Sequence, residues 1–349
     1  MELNTIDSST PLIERLAEAL KSRVALVDAR HEAAFRLFNG FTEGWSDLAI
    51  DLYGRTLVIH DYAEDVLDGV RNMAVARGFY EAELPWLGAI LWKSRSGTTA
   101  EERNGKWMND AEPDRRIREH GVWYALDLQA NRDAGLYLDT RNLRKWLIEN
   151  MAGARVLNTF AYTGSLGVAA RAAPADPVRG ASRVIHLDLK RAFLNVAKTS
   201  YTLNGFPIAK ADFVAGDFWP QISRLIKSAQ LFDCVIVDPP FFAQTAKGRV
   251  DLEKNYSRVL NKVRPLIADG GRLVAVNNGL YVSGAEFMAT LNALCSDGYL
   301  KIEELIPVGP DFTGTVPGSG AGIVTDPAPF NHSTKIAVIR VNRKDGLKA

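Results

Sequence analysis

The 349-residue sequence predicts an α/β fold preceded by a smaller α+β domain. From about residue 141 onward, apolar runs of strand length alternate with segments of helix length, a pattern typical of a parallel sheet covered by helices. The length suggests two domains, because a single hydrophobic core stops growing near roughly 250–300 residues. The expected division is a helical segment at 1–30, a small α+β domain at 31–125 and an α/β domain at 126–349.

The composition is that of an ordinary folded protein. Hydrophobic residues make up 47% and charged residues 24% of the chain, which excludes the disordered and fibrous classes. The 42 basic and 41 acidic residues leave a net charge of +1, so no global field marks a nucleic-acid-binding protein, although a local basic groove is compatible with this balance. The N-terminus lacks a signal-peptide pattern and no apolar run approaches roughly 18 residues, which predicts a cytoplasmic protein without a membrane partner.

The cysteines and histidines indicate neither a disulfide framework nor a metal site. Cys234 and Cys295 lie in apolar contexts, as expected in a reducing compartment. The five histidines are scattered without the paired spacing of metal ligands. No structural or catalytic metal is therefore expected.

The first 125 residues predict a helix, a hairpin and an irregular stretch. The dipeptide Thr10-Pro11 suits a helix start, and leucines follow it on one helical stripe. Two β-rich runs flank Tyr53-Gly54-Arg55, which predicts a hairpin. A helix is expected at 66–79 and a strand at 89–92, whereas 93–121 shows no periodicity and is expected to be loop or ribbon.

Four of the seven tryptophans lie in or beside that irregular stretch, among many lysines and arginines: Trp86, Trp92, Trp107 and Trp123. Aromatic rings interleaved with cations can stack bases and neutralise phosphates. The alternative is that the tryptophans fill the core of the small domain while the arginines form its solvated face.

The rest of the chain predicts seven strands and six helices. The strands are expected at 155–160, 183–187, 211–215, 232–237, 272–277, 302–308 and 334–341. The helices are expected at 140–151, 164–173, 190–204, 219–229, 252–268 and 284–297. The last two strands are close in sequence, which favours an antiparallel pair at the end of an otherwise parallel sheet. The Gly/Pro-rich segment 309–333 is too long for a simple connection and is either a substrate lid or disordered.

Ligands of an open parallel sheet collect at the carboxyl ends of its strands. Five groups of residues lie there: the turn Thr163–Gly167, Asp188, Asp217, Asp238-Pro239-Pro240-Phe241-Phe242, and Asn277-Asn278. The small residues of the first group let the backbone approach a ligand at a helix N-terminus, since glycine tolerates φ angles that a side chain forbids. The joint order of these groups is far more specific than any single one.

The acidic residues after two of these strands suggest a nucleoside ligand. Asp188 lies 24 residues beyond Gly164, where a carboxylate can accept both hydroxyl protons of a ribose. Asp217 is expected to bond an adenine amino group while Phe218 packs against the ring; the alternative is that Asp217 only caps the following helix. The chain lacks Gly-x-Gly-x-x-Gly, which argues against a dinucleotide.

The segment Asp238-Pro239-Pro240-Phe241 is the sharper signal. Two prolines after a buried strand rigidify a loop and leave a carboxylate and an aromatic ring at its mouth. The aspartate and a backbone carbonyl can accept hydrogen bonds from a base nitrogen, while Phe241 or Phe242 stacks on a base taken out of its helix. Methyl transfer from a sulfonium donor needs positioning and desolvation more than acid or base help, which fits the missing catalytic histidine.

Taken in order, these segments resemble the class I S-adenosylmethionine-dependent large-subunit rRNA methyltransferases, over roughly residues 30–342. The residues that carry the resemblance are Gly135-Leu136-Tyr137-Leu138-Asp139-Thr140-Arg141, 157–167, Asp188, Asp217 and Asp238-Pro239-Pro240. The runs 35–40 and 50–54 look like the small domain of that family. The resemblance implies a Rossmann-like seven-stranded methyltransferase domain, S-adenosylmethionine as cofactor, RNA as partner, and a small domain that is a candidate for RNA binding.

The resemblance also assigns the site residues. It implies that Arg141 and Asp139 line the cofactor tunnel, the alternative being an ion pair at a helix start, and that Tyr162 shields the methionine end, the alternative being packing. The expected cofactor-binding residues are Arg141, Phe160, Tyr162, Thr163, Gly164, Asp188, Leu189, Asp217, Phe218 and Asp238. The expected catalytic residues are Asp238, Pro239, Phe241 and Asn277.

Two features depart from relatives in that family. Members that act on C5 of cytosine carry a cysteine after the fifth strand, where this chain has Asn277-Asn278-Gly279, and neither cysteine of the chain replaces it. The asparagines look like the guanine-N7 branch, whereas Phe241 is more like exocyclic-amino methyltransferases, so the target atom stays open. A PUA-type RNA-binding domain is not expected, because only about thirty residues precede Phe35.

The sequence is compatible with three functions. The first is methylation of a base nitrogen in rRNA, the second is methylation of a small molecule or a protein, and the third is an RNA-binding factor that kept the fold and lost catalysis. A fold alone does not separate them. A monomer and a homodimer are equally compatible with the sequence.

Overall fold

The computed structural model of the protein describes residues 10–172, 180–245, 248–251, 255–314 and 325–349. They form two compact units. The first unit holds the described residues of Met1–Glu119, Ala125–Leu138 and Gly309–Ile323, and the second holds those of His120–Tyr124, Asp139–Val308 and Val324–Ala349. Each unit is therefore assembled from three segments of the chain.

The first 125 residues contribute four α-helices and seven strands to the described structure. The helices are α1 (Thr10–Arg23), α2 (Gly40–Glu43), α3 (Val66–Glu83) and α4 (Ala100–Asn104), with a 3₁₀ turn at Val24–Leu26. The strands are β1 (Ala34–Asn39), β2 (Leu48–Tyr53), β3 (Thr56–Asp61), β4 (Ile90–Ser94), β5 (Lys106–Trp107), β6 (Arg116–Glu119) and β7 (Val122–Ala125). The first unit also contains the short helix Pro310–Thr313.

The first unit is built on a five-stranded sheet in the order β1-β2-β3-β4-β5. The predicted hairpin is confirmed: β2 and β3 are antiparallel and Tyr53 pairs with Thr56, leaving Gly54 at φ 64° in the turn. The stretch 93–121 is more regular than predicted, because Thr99 and Glu102 form a capping box that starts α4. A short polar helix of this kind shows no apolar periodicity in the sequence.

Two of the four tryptophans of this region, Trp86 and Trp92, pack into the first unit. Trp86 stacks on His31 with ring centroids 4.0 Å apart, and both Trp86 and Trp92 pack against the apolar core of the unit. Trp107 donates from its ring nitrogen to Gln129 at 2.9 Å. The contacts of Trp86 and Trp92 favour the interpretation of these two residues as domain core.

The remainder of the chain supplies six longer helices and nine strands. The helices are α5 (Arg141–Asn150), α6 (Ser165–Arg171), α7 (Arg191–Leu203), α8 (Phe218–Lys227), α9 (Tyr256–Val263) and α10 (Gly284–Cys295), with 3₁₀ turns at Leu138–Thr140, Lys210–Asp212 and Arg264–Leu266. The strands are β8 (Arg155–Thr159), β9 (Arg183–Asp188), β10 (Phe213–Ala215), β11 (Phe232–Val237), β12 (Phe242–Thr245), β13 (Gly248–Asp251), β14 (Ile267–Asn277), β15 (Leu300–Leu305) and β16 (Lys335–Val341).

The second unit is built on a seven-stranded sheet in the order β10-β9-β8-β11-β14-β16-β15. The pairs from β10 to β14 are parallel, whereas β16 runs antiparallel to both β14 and β15. Successive side chains alternate between two apolar cores, as Leu157 and Val235 face one core and Val156 and Cys234 the other. The predicted α/β fold with an antiparallel final pair is confirmed.

The structure differs from the sequence prediction around the fifth parallel strand. The helix predicted at 252–268 ends at Val263, because Pro265 lacks the N–H that an α-helix needs, and a 3₁₀ turn follows. Strand β14 accordingly begins at Ile267, five residues earlier than predicted. Within the segment 309–333, residues 315–324 lie outside the described residues. The prediction that this segment is either a substrate lid or disordered therefore falls largely on residues that the structure does not describe.

The described helices include none that is both long enough and apolar enough to cross a bilayer. The longest of them, α3, has 18 residues, but polar and charged residues interrupt it along its whole length.

Candidate active site

The turn after β8 holds three residues in the left-handed backbone region. Phe160, Tyr162 and Gly164 have φ angles of 54°, 50° and 81°. Gly164 is the N-cap of α6, and a Cβ added to it would lie 2.5 Å from the Cβ of Ala197, so only glycine fits there. Non-glycine residues in this conformation are uncommon and cluster at functional sites.

Aromatic contacts fix the side chains of this turn. The Phe160 ring stacks on Phe218 with centroids 4.7 Å apart. The Tyr162 ring meets Phe193 of α7 edge-on at 4.5 Å, as the packing interpretation of this tyrosine expects. Thr163, which follows Tyr162, is buried. The turn is therefore held against α7 and α8 rather than left free.

Asp188, at the end of β9, is tied to the same turn. One carboxylate oxygen accepts from the N–H of Tyr162 and the other from the N–H of Lys190, both at 2.8 Å. Burial raises the pKa of the Asp188 carboxyl, and these two backbone donors oppose the rise. Each oxygen can accept a second hydrogen bond. The adjacent Leu189 is 61% exposed.

Asp217 acts as a helix cap in the structure. Its carboxylate accepts from the N–H of Trp219 at 2.9 Å at the start of α8. Phe218 is buried, with its ring on Phe160. The capping alternative therefore describes this contact, while the second oxygen of the carboxylate keeps its capacity to accept.

Asp238 follows β11 directly and is half-buried. Burial raises the pKa of its carboxyl to about 7, and the nearby negative charge of Asp139 adds to the rise. Asp139 itself accepts a hydrogen bond from the hydroxyl of Thr334 at 2.6 Å. With a pKa of about 7, the Asp238 carboxyl holds a proton part of the time at neutral pH.

The proline loop presents an aromatic ring beside the end of β14. Phe241 is 38% exposed. Asn277 is 1% exposed; its Oδ1 accepts from the N–H of Gly279 at 2.9 Å. A Cβ added to Gly279 would lie 3.1 Å from that oxygen and 3.4 Å from Cδ2 of Phe241. The predicted catalytic residues Phe241 and Asn277 therefore lie together.

Lys335 was missed by the sequence analysis. It is fully buried, and its ammonium donates to the carbonyl of Gly279 at 3.1 Å and to the carbonyl of Ser333. Burial lowers its pKa to about 8, against the opposing charge of Glu286. The one available signal was a lysine at the entrance of the apolar strand β16.

The cysteines are unsuited to nucleophilic attack. Cys234 is fully buried within β11, and burial raises the pKa of its thiol to about 12. Burial also raises the pKa of Cys295 in α10. Since the thiolate is the reactive form, neither supplies a nucleophile. Among the described residues, no group of three or more His, Cys, Asp and Glu is positioned to hold a metal ion.

Comparison with known proteins decides the family. Residues 36–324 match the family model described as S-adenosylmethionine-dependent methyltransferase. The chain belongs to the S-adenosylmethionine-dependent methyltransferases. This confirms the enzyme class and the cofactor predicted from the sequence.

Two similar curated proteins carry related names. The methyltransferase is 30% identical over 304 residues to the Bacillus subtilis protein named "Putative ribosomal RNA large subunit methyltransferase YwbD", covering 84% of this chain and 73% of that protein. It is 27% identical over 281 residues to the ribosomal RNA large subunit methyltransferase I of Photobacterium profundum, covering 76% and 67%.

A solved structure shares the fold of this methyltransferase. The crystal structure of SMU.776, "a putative methyltransferase complexed with SAH", matches with a TM-score of 0.81 and 21% identity, over 98% of this chain and 83% of that one. At that identity the likeness concerns the fold, and it confirms the Rossmann-like class I architecture.

Proposed function

We propose that this methyltransferase methylates a base nitrogen of ribosomal RNA. The proposal depends on Asp238, whose pKa lies near 7, at the start of a rigid loop that exposes the ring of Phe241. A carboxylate can accept a hydrogen bond from a base N–H, and an exposed ring can stack on an extruded base. The names of the curated relatives support an RNA substrate, which also supports a cytoplasmic site of action.

The residues at the carboxyl ends of β8, β9 and β10, together with Arg141 at the start of α5, are proposed to hold S-adenosylmethionine, which supplies an electrophilic methyl group when bound. Asp188 is assigned to the ribose hydroxyls, because both of its oxygens are oriented by backbone donors and each can accept once more. The remaining oxygen capacity of Asp217 is assigned to the adenine amino group. The other assigned residues are Arg141, Phe160, Tyr162, Thr163, Gly164, Leu189 and Phe218.

Positioning is the main task of these residues. Transfer of a methyl group to a nitrogen lone pair requires in-line approach in a site that excludes water. The stacked rings of Phe160 and Phe218 and the positive φ angles of the turn hold these residues in one defined arrangement. A fixed site loses little conformational entropy on binding.

The available hydrogen-bonding groups favour guanine as the target. Nδ2 of Asn277 is a buried donor without a partner among the described residues, and it would suit the O6 acceptor of guanine. Asp238 would accept from a guanine N–H in the same base. Guanine N7 and the exocyclic amine are both compatible targets for this pair, whereas covalent catalysis by a cysteine, which methylation at C5 of cytosine needs, has no thiolate to use.

The test is transfer of tritium from labelled S-adenosylmethionine to unmodified large-subunit rRNA transcribed in vitro. We expect incorporation that is lost in Asp238→Asn and kept in Asp233→Asn. Asp233 is a matched control because it lies near the start of β11, the strand that Asp238 follows, and accepts a hydrogen bond from the N–H of Arg155. Label found in small molecules or proteins instead would favour the second function, and cofactor binding with no transfer would favour the inactive RNA-binding factor.

A further inference from the structure

Three large apolar side chains are exposed together at the carboxyl edge of the sheet. Phe241 follows β11 and is 38% exposed, while Leu280 and Tyr281 follow β14 and are 52% and 63% exposed. Strands β11 and β14 are adjacent and parallel. The rings of Phe241 and Tyr281 have centroids 6.4 Å apart and planes tilted by 60°. The two rings therefore do not stack on each other.

The loop that carries Tyr281 is fixed on several sides. Lys335 donates to the carbonyl of Gly279, the N–H of Val282 returns to the same carbonyl at 3.4 Å, and the hydroxyl of Thr325 donates to the carbonyl of Leu280 at 2.8 Å. Helix α10 starts three residues after the tyrosine, and its N-cap Ser283 forms a capping box with Glu286. The aromatic ring is thus held out in water by an ordered backbone, at a cost in hydrophobic free energy.

Two buried polar atoms beside the loop point to a ligand. Nδ2 of Asn277, in a side chain only 1% exposed, and Oδ1 of Asn278 are buried and have no hydrogen-bond partner among the described residues. The adjacent Gly279 contacts Phe241 closely enough that an added Cβ would meet its ring at 3.4 Å. The unpaired donor and acceptor are suited to hydrogen bonds with the polar edge of a base. The exposed ring beside them is suited to stacking on the flat face of the same base.

We propose that Tyr281, supported by Leu280, is a stacking platform for the unpaired nucleotide next to the target base. This rests on the proposed RNA substrate. Phe241 would stack on the target base. Tyr281, whose ring centroid lies 6.4 Å from that of Phe241, would stack on the neighbouring base. Because every base has a π face, such a platform selects unpaired RNA rather than a sequence. The substrate is then a loop or bulge, since paired bases cannot be stacked on a side chain.

The test compares Tyr281→Ala, Tyr281→Phe and Ile208→Ala in the full chain. Ile208 is a matched control, because it is also large, apolar and 41% exposed but lies before β10, away from these loops. The assay measures KM and kcat on unmodified large-subunit rRNA transcribed in vitro, and the affinity for S-adenosylmethionine by calorimetry. A second measurement maps ultraviolet crosslinks from 4-thiouridine-substituted rRNA to the protein by mass spectrometry.

We expect Tyr281→Ala to raise KM for RNA about tenfold or more, on the order of the loss of one stacked base, with cofactor affinity unchanged. Tyr281→Phe should retain the KM of the unsubstituted protein, and the crosslink should fall on Tyr281. Equal KM values for Tyr281→Ala and Ile208→Ala, together with no crosslink in 279–282, would overturn the platform while RNA methylation still supported the proposed function. RNA that is not methylated even by the unsubstituted protein would overturn both. A Tyr281→Ala defect for a protein substrate alone would assign the surface to a protein partner.

Discussion

The backbone N–H of Tyr162 donates to a carboxylate oxygen of Asp188 at 2.8 Å, and so joins the turn after one strand to the end of its neighbour. Tyr162 adopts a φ of 50°, a conformation that a tyrosine rarely takes unless its surroundings stabilise it. The carboxylate and the turn are therefore one structural unit. A substitution at either position should alter both.

Replacing Asp188 with alanine should abolish most of the affinity for S-adenosylmethionine. Hydrogen bonds to a charged group contribute about 1.5–3 kcal/mol each, so loss of the ribose contacts predicts a fall of at least about tenfold. Isothermal titration calorimetry measures it. The control is Asp212→Ala. Asp212 lies just before β10 and forms an ion pair with the partly exposed Arg183 of β9, so its loss should leave the affinity within twofold. Equal effects of the two substitutions would contradict the assignment of Asp188.

Replacing Gly164 with alanine should destabilise the protein and weaken cofactor binding. The added Cβ would combine a positive φ with an approach of 2.5 Å to the Cβ of Ala197, for a cost of about 2–4 kcal/mol in the free energy of unfolding. The control is Gly153→Ala, which has φ 71° but nothing within 4 Å of the added Cβ, and should cost about 1–2 kcal/mol. Urea denaturation measures both, and a Gly164→Ala protein no less stable than Gly153→Ala would refute the packing argument.

The rate of methyl transfer should rise with pH through about 7. Burial and the charge of Asp139 raise the pKa of Asp238 to about 7. The ionised carboxylate only accepts hydrogen bonds, as the contact with a base N–H requires, whereas the protonated carboxyl is itself a donor. A single-turnover pH profile from 5.5 to 8.5 measures the effect. Asp238→Asn should give a low rate without this inflection, whereas Asp233→Asn should keep the inflection. A profile that stays flat in the unsubstituted protein would exclude a titrating Asp238 from the reaction.

The Asp238 carboxyl should affect stability in the opposite direction from the reaction rate as pH rises. Between the ordinary carboxyl pKa of 3.8 and about 7, the folded protein binds a proton that the unfolded chain has lost. Stability should therefore fall as pH rises across this window. Asp238→Asn should reduce that slope in the free energy of unfolding, as chemical denaturation at several pH values would show.

Replacing Lys335 with methionine should destabilise the loop after β14. The ammonium is a donor to two carbonyls, those of Gly279 and Ser333, and leaving both unpaired is expected to cost about 2–4 kcal/mol. Because burial lowers its pKa to about 8, stability should also rise with pH above 8 in the unsubstituted protein and lose that rise in the variant. The control, Lys301→Met on the exposed side of β15, should change stability by less than about 0.5 kcal/mol.

The sheet could be predicted from sequence because its strands are short apolar runs separated by helices. The order of the acidic residues at the ends of β9, β10 and β11 could also be predicted, since each lies at the end of an apolar run or just beyond it. The end of α9 was missed because Pro265 lies within an otherwise apolar pattern. Helix α4 was missed because its residues are polar and its start depends on a capping box.

Other features of the site depend on contacts between distant segments. Thr334 and Lys335 reach Asp139 and Gly279 only because β16 is inserted beside β14. The exposure of Tyr281 depends on the ordered loop around it, which no local pattern records. The capping role of Asp217 was an alternative that sequence could not resolve, because a carboxylate before a helix suits both a cap and a ligand.

The most direct measurement is nucleoside mass spectrometry of large-subunit rRNA from a strain that lacks this protein. The strain is compared with the same strain carrying the unsubstituted protein or Asp238→Ala. We predict that one base-methylated nucleoside, a methylguanosine, disappears in the deletion, returns with the unsubstituted protein and does not return with Asp238→Ala. Identical rRNA methylation in all three strains would contradict the claim that this methyltransferase acts on ribosomal RNA.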